Sequence, residues 1–451
     1  MVGCATVEHP AMILTDVPER PAGQQDMVGF AAEPLSKVRV GVIGLGMRGW
    51  GAVYRLSNIE GVEIVALCDV ERDRAERAAK TLTDSGLNEP KIFAGDTAVW
   101  RELTAMEGID LVYIATPWDS HATIGVQAMN DGKHVAIEVP AAMSLSEIWS
   151  LINTSERTRK HCMQLENCVY DFFELTTLNM AQEGLFGEIL HTEGAYIHNL
   201  EPFWADYWND WRLQYNINHY GDLYPTHGLV PVALALDMHR GDRMEYLVSL
   251  QTKTVCIPEF IERTQGRDVS KDFKNGDHTI TLIKTVGGKT INIQHNVATP
   301  RPYNRMYQLT GTKGFANKYP VEGLALTKAS FGGQDAVESM SHEDLSGHGF
   351  VSQDTFDSLF VAYQHPIVND QLLEMAKKVG GHGGMDFIMD YRLIYCLRNG
   401  LPLDMDVYDL AESCAPIELS SISLTNGSMP VAVPDFTRGG WQKLDGVQFH
   451  L

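Results

Sequence analysis

Between residues 38 and 139 short apolar runs alternate with amphipathic stretches, a pattern that predicts strands separated by helices. Val38–Ile43 (VRVGVI) is an apolar run ending in glycines, and a helical stretch follows from Met47 to about Ile59. Val62–Cys68, a charged helix from Glu71 to about Leu82, Ile109–Ala115, a helix near His121–Asn130 and Val135–Val139 continue the series. Strands this uniformly apolar belong to a parallel sheet covered by helices on both faces. From about residue 166 the period changes. Ile189–Asn199, Met244–Thr252, Thr279–Thr285, Thr290–Val297 and Met306–Thr312 read as strands with hairpin-type turns, Gly287-Gly288 among them. They predict one open, mostly antiparallel sheet. Apolar helical patterns return at Val368–Val379 and Met385–Arg398. The expected architecture is an α/β domain over 36–165 and an α+β domain over 166–451, with C-terminal helices packing back on the first.

Residues 1–35 differ in character. Pro10, Pro18, Pro21 and Pro34 interrupt any period, so this segment reads as a flexible leader or a strap across the fold. Its opening Met-Val-Gly-Cys-Ala resembles a lipoprotein cleavage site with Cys4 as the lipidated residue, which implies export or lipid anchoring; an incidental cysteine in a cytoplasmic protein is the alternative. No apolar run approaches the roughly 18 residues of a membrane helix.

Composition narrows the functional classes. Asp plus Glu number 58 against 36 Lys plus Arg, a formal net charge of −22. Such a surface repels a phosphate backbone, which argues against nucleic-acid binding. The seven cysteines are scattered and form no CxxC pair, and His342, His348, His365 and His382 lack ligand spacing with carboxylates, so no metal site is expected.

Gly44-Leu45-Gly46-Met47-Arg48-Gly49 matches GxGxxG and lies where a strand ends and a helix opens, the context in which the pattern carries meaning. Gly44 permits the turn, Gly46 lets the backbone approach a pyrophosphate, and Gly49 allows close helix–strand packing, while the helix N-terminus offers free N–H groups to the anion. Asp69, at the end of the second strand, places a carboxylate where ribose hydroxyls are bound and a 2′-phosphate is repelled. The first domain is therefore expected to be a Rossmann domain that binds NAD.

The loop Ala115-Thr116-Pro117-Trp118-Asp119-Ser120-His121 and the Gly132-Lys133-His134-Val135 run resemble the glucose-fructose oxidoreductase and inositol dehydrogenase superfamily. There the fifth strand usually ends in Glu-Lys-Pro, whose lysine serves sugar dehydrogenation; this chain has Glu138-Val139-Pro140, and valine can neither give nor take a proton. Glu138-Val139-Pro140-Ala141, Glu166-Asn167-Cys168-Val169-Tyr170, Tyr224-Pro225-Thr226-His227-Gly228 and Gly381-His382-Gly383-Gly384-Met385-Asp386 together resemble the NAD-dependent α-N-acetylgalactosaminidases of glycoside hydrolase family 109, from about residue 36 to the C-terminus.

That resemblance implies hydrolysis through transient oxidation. A ketone at sugar C3 acidifies the C2 hydrogen, a base removes it, the aglycone is eliminated from C1, water adds, and the hydride returns with net retention. NAD is then recycled and tightly bound, and paired carboxylates around the glycosidic bond are not needed. On this reading Thr116, Trp118, His121, Glu138 and Asn167 join the glycine loop in holding NAD. His227 takes the C3 hydroxyl proton, Tyr224 holds that oxygen, and Tyr170 is the candidate C2 base. Glu138, Arg212 and Tyr307, with Tyr303 as a rival to the last, are candidate sugar contacts. The ring-rich stretch Phe203–Arg212 supplies either stacking surfaces for a pyranose or filling for the domain interface. Glycans ending in α-linked N-acetylgalactosamine are the expected partners, and a homodimer through the open sheet is expected. Two other readings remain: a conventional NAD-dependent sugar dehydrogenase and a non-catalytic NAD-binding sensor.

Overall fold

The computed structural model describes residues 12–204, 211–268, 273–332 and 340–451. In the first domain β1 (Val38–Ile43), α1 (Met47–Ser57), β2 (Val62–Asp69), α2 (Arg72–Asp84), β3 (Lys91–Ala94), α3 (Trp100–Ala105), β4 (Leu111–Ile114), α4 (Trp118–Asn130), β5 (His134–Ile137), α5 (Leu145–Thr158) and β6 (Cys162–Gln164) follow one another. The strands make a parallel six-stranded sheet in the order β3-β2-β1-β4-β5-β6. β3 and β6, of four and three residues, are additions to the sequence reading; runs so short carry no period. The order reverses between β1 and β4, and ligands of such sheets bind in the crevice outside the carboxyl ends of the strands at that reversal.

The second domain contains α6 (Phe172–Gln182), β7 (Ile189–Ile197), α7 (Trp211–Asn218), α8 (Thr226–Ala235), β8 (Met244–Gln251), α9 (Cys256–Gln265), β9 (Thr279–Thr285), β10 (Thr290–Asn296), β11 (Gln308–Gly311), β12 (Gly314–Asn317) and β13 (Gly323–Leu326). It closes with α10 (Gln353–Ala362), α11 (Asp370–Val379), α12 (Met385–Asn399), α13 (Val407–Thr425) and β14 (Val431–Ala432). Its eight-stranded sheet runs β13-β12-β11-β7-β10-β9-β8-β14 and is antiparallel except between β7 and β10. One face packs on α8 and α13; the outer face presents Leu250, Ile280 and Leu282 to solvent. α12 packs against α1 of the first domain.

α8 approaches β7 backbone to backbone. A Cβ added to Gly228 would stand 2.4 Å from the Ala195 nitrogen, and one added to Gly194 would stand 2.0 Å from the Gly228 carbonyl oxygen. The glycine after His227 thus lets the start of α8 sit directly on β7.

Residues 12–35 form a strap along the molecule. Ile13 bridges Val431, Arg159 donates to the Gln25 and Asp26 carbonyls, and the Met27 N–H donates to Tyr408. The charged link is Glu156 of α5, which takes Arg20 of the strap and Arg438 near the C-terminus, each at 3.0 Å, together with the Tyr408 hydroxyl. Removing one partner of a buried ion pair strands the others. Glu156→Gln is therefore expected to lower unfolding free energy by about 3 kcal/mol, measured by urea titration. A change below the error of the titration would show that the strap is held by its other contacts. Cys4 lies outside the described residues.

Candidate active site

The glycine loop has the geometry that a dinucleotide needs. Gly44 has φ +87°, and a Cβ there would stand 2.5 Å from the Ala115 carbonyl oxygen; a Cβ on Gly49 would stand 1.7 Å from the Gly44 oxygen. A Cβ on Gly46 would meet nothing within 4 Å, and no side chain caps the N-terminus of α1. Open space before an uncapped helix start fits a pyrophosphate. The Asp69 carboxylate accepts from the Leu45 N–H at 2.6 Å and from the Glu71 N–H at 2.9 Å, so it also pins the loop whose ligand it faces.

Arg48, inside the glycine motif, reaches out of the first domain. Its guanidinium lies 2.8 Å from Glu138 at the end of β5 and 3.0 Å from Asp386 at the start of α12. Asp386 also meets His382 Nδ1 at 2.9 Å and accepts from Asn167. Burial opposes its charge, yet His382, Arg48 and Arg55 hold its pKa well below the usual carboxylate range. Behind it Arg55 of α1 donates to Asp390 at 2.7 Å. The dinucleotide loop, the end of β5 and α12 are thus tied by charge.

His227 stands at the start of α8 with Nδ1 2.7 Å from Glu166 Oε1. Burial disfavours charge on Glu166, but His227 and the Cys168 N–H hold its pKa below the ordinary value. An ionised carboxylate only accepts, so Nδ1 presents its proton to Glu166 and Nε2 is the ring atom left for proton transfer. This is the arrangement of a general base fixed in one tautomer. The Glu166, Cys168 and His227 ligand atoms lie within 4.8 Å of one another, as do those of His239, Asp406 and Asp409. In the first group the His227–Glu166 hydrogen bond and in the second the approach of His239 to Asp406 at 3.3 Å and to Asp409 at 3.7 Å account for the clustering.

Rings close around His227. Tyr224 lies edge-on at 4.9 Å and Tyr196 of β7 at 5.4 Å. The Arg212 guanidinium sits 4.8 Å from the ring centres of both Tyr224 and Trp118 and 6.0 Å from that of Tyr196. Val139 belongs to the same buried cluster as Trp118, Tyr196 and Tyr224. Val139, just past the end of β5, is therefore packed among aromatic rings. The structure brings together His227, Tyr224, Arg212 and Trp118 from the sequence reading, with Glu138 and Arg48 alongside.

Three candidates fall elsewhere. Tyr170 is fully buried, and its hydroxyl donates to Asp404 at 3.2 Å; the 3-10 turn Asn167–Tyr170 aims it into the core, where burial pushes its pKa well up. Tyr307 is also core, its ring edge-on to Phe173 and its hydroxyl accepting from Thr177. The buried His121 ring has its nitrogens 2.8 Å from the Pro140 oxygen and 2.7 Å from the Thr116 oxygen, so it joins the loops after β4 and β5 and faces no ligand. Thr116 accepts from Ser120 at 2.7 Å, while Tyr303 stays exposed, edge-on to His198 at 5.2 Å. Trp204 is buried in the interface cluster; residues 205–210 of the ring-rich stretch lie outside the described residues. Sequence reasoning missed Glu166 as the partner of His227, and Tyr196. A glutamate heading the motif that includes Asn167 was a signal for the first; Tyr196 lay hidden in an ordinary strand.

Residues 38–165 match the family described as Oxidoreductase family, NAD-binding Rossmann fold, and residues 170–443 match Glycosyl hydrolase 109, C-terminal domain. "Glycosyl hydrolase family 109 protein 1" of Phocaeicola vulgatus is 59% identical over 442 residues, covering 98% of this chain and 93% of its own. "Glycosyl hydrolase family 109 protein" of Porphyromonas gingivalis is 59% identical over 440 residues, with 98% and 93% covered. Among solved structures, an NAD binding oxidoreductase from Klebsiella pneumoniae superposes with TM-score 0.65 at 18% identity, covering 88% of this chain and 99% of that one. A levoglucosan dehydrogenase in complex with NADH and levoglucosan superposes with TM-score 0.63 at 18% identity, covering 88% and 100%. At these identities the structural likeness speaks for the fold alone.

Proposed function

Because the chain belongs to glycosyl hydrolase family 109 and is a glycoside hydrolase with an NAD-binding Rossmann domain, we propose that it cleaves terminal α-linked N-acetylgalactosamine by oxidising and re-reducing the sugar within each turnover. The observation that carries this reading is the His227–Glu166 pair, held in one tautomer beside Tyr196 and Tyr224, in a site whose fifth-strand lysine is replaced by Val139. Bound NAD supplies a two-electron acceptor that is restored before product leaves, so it is held tightly. Gly44, Gly46, Met47, Arg48, Gly49 and Asp69 hold it, with Thr116, Trp118, Glu138 and Asn167 along the crevice.

The residues then divide the proton work. His227 Nε2 takes the proton of the C3 hydroxyl as that carbon is oxidised, and Glu166 stabilises the imidazolium. Tyr224 holds the same oxygen. Tyr196, rather than Tyr170, removes the C2 proton; burial pushes its phenol up, and Arg212 pulls in the opposite direction. Arg212, clamped between Trp118 and Tyr224, faces the sugar's polar substituents.

The test is hydrolysis of an aryl α-N-acetylgalactosaminide in D2O without added cofactor. Deuterium at C2 with retained anomeric configuration is the expected result. Protium kept at C2 during efficient turnover would sink the proposal, and NADH accumulating in step with product would mark a dehydrogenase instead.

We also propose a homodimer through the outer sheet face, where Leu250 pairs with Ile280 and Val248 with Leu282 across β8 and β9. Leu282→Glu puts charge in that patch and should yield monomers in sedimentation velocity; if wild type already sediments as a monomer, the dimer is wrong.

A further inference from the structure

Tyr196 has a partner for its proton. Two residues further along the extended chain, on the same side, stands His198, with Nδ1 3.1 Å from the Tyr196 hydroxyl. The His198 N–H donates to the Asn296 carbonyl at 2.9 Å, extending the pairing of β7 with β10 and fixing the ring's origin. The ring of exposed Tyr303 meets the imidazole edge-on at 5.2 Å and 89°. On its other side Tyr196 stacks on His295 at 6.4 Å, whose ring is fully enclosed and leads nowhere to solvent. His198 is the half-buried member of the group, and so the one that connects the phenol to water.

The geometry points to His198 as the acceptor that readies Tyr196 to act as a base. The phenol passes its proton to His198 Nδ1, and the phenolate takes the C2 proton of the oxidised sugar. This rests on the transient-oxidation reading above. In the step the Tyr196 O–H bond breaks and an N–H bond forms on His198. The C2–H electron pair stays on the sugar and becomes the C1–C2 double bond as the C1–O bond breaks. The C2 proton ends on Tyr196, the proton on His198 passes to water on the ring's open side, and water protonates the departing aglycone oxygen, so charge and atoms balance. A free tyrosine titrates near pH ~10, too high for an unaided base at neutrality. A neutral imidazole in contact lowers that barrier, and the resulting phenolate lies between two cations, the imidazolium and Arg212. Burial, with the positive charges of Arg212, His227 and His382, holds His198 below its ordinary pKa, so the ring is empty before the step and the proton it takes is passed on readily rather than kept. His198 acts through Tyr196 and is a positioning residue.

The experiment compares wild type with His198→Asn, whose amide oxygen can accept the hydrogen bond but not the proton. Reduction of bound NAD by the sugar, deuterium entry at C2 and glycoside cleavage are followed on one sample. His198→Asn should reduce NAD at nearly the wild-type rate while C2 exchange and cleavage fall by about 10²- to 10⁴-fold, so that NADH accumulates. His198→Gln serves as the second variant if the asparagine protein does not fold. In a Tyr196→Phe background the His198 change should add no further loss. Wild-type C2 exchange in both His198 variants, or losses that add in the double variant, overturns this role and leaves the transient oxidation standing. A wild type that cleaves with neither NAD reduction nor C2 exchange overturns that oxidation, and this role with it.

Discussion

With His227 replaced by alanine, bound NAD should stay oxidised when substrate is added, and kcat should fall by about 10²- to 10⁴-fold, the usual contribution of a positioned general base. On the proposed reading the ring's Nε2 accepts the proton of the hydroxyl being oxidised, and water in the vacated space lacks its fixed direction. Glu166→Gln separates orientation from chemistry. The amide oxygen still accepts from Nδ1, but the negative charge that favours the imidazolium is gone, and a hydrogen bond to a charged group contributes about 1.5–3 kcal/mol, or about 10- to 100-fold. Both variants should keep their affinity for NAD, because neither residue belongs to the glycine loop. Stopped-flow absorbance of NADH measures the first step directly. Undiminished NADH formation in His227→Ala would remove the residue from that step.

The second large effect is expected at Gly49. A methyl group there would stand 1.7 Å from the Gly44 carbonyl oxygen, closer than any atoms pack, so the loop and the start of α1 must part. A shift near 1 Å at a binding loop costs about 100-fold. Gly49→Ala should therefore weaken NAD binding by about that factor in calorimetry, with cleavage falling in parallel and partly recovering as NAD is added. Wild-type affinity in a folded variant would mean that the loop does not carry the dinucleotide. By contrast, a Cβ on Gly46 would meet no protein atom within 4 Å.

The first domain was legible because its signals are local. A glycine loop, the strand before it and the acid ending the next strand lie within residues 38–69 and need no long-range contact to be recognised. His227 was singled out from the Tyr224–Gly228 run as a family motif, and the structure puts it beside Glu166, which no spacing in that run encodes. The surroundings of Tyr170 and Tyr196 were not legible. Tyr170 sits beside a motif, but side-chain direction is set by a 3-10 turn that turns the ring toward Asp404. Tyr196 lies in Gly-Ala-Tyr-Ile, where consecutive buried positions hide the period-2 signal that would have marked one face as special. Its partners His227, Arg212 and His198 reach it through tertiary packing, which no spacing in the chain encodes. β12, β13 and β14 escaped because four residues or fewer cannot display a period.

Arg48 gives the cradle a latch. Swinging the two halves apart would pull this guanidinium from Asp386 and leave unlike charges stranded in a poorly hydrated seam, a cost of several kcal/mol. Coenzyme exchange through such an opening is expected to be slow on the timescale of turnover. If the proposed cycle holds, a catalyst that regenerates its own oxidant has no need of rapid exchange, and a latch that retards it would keep the oxidised sugar and its electrons in the same compartment until the bond is cut.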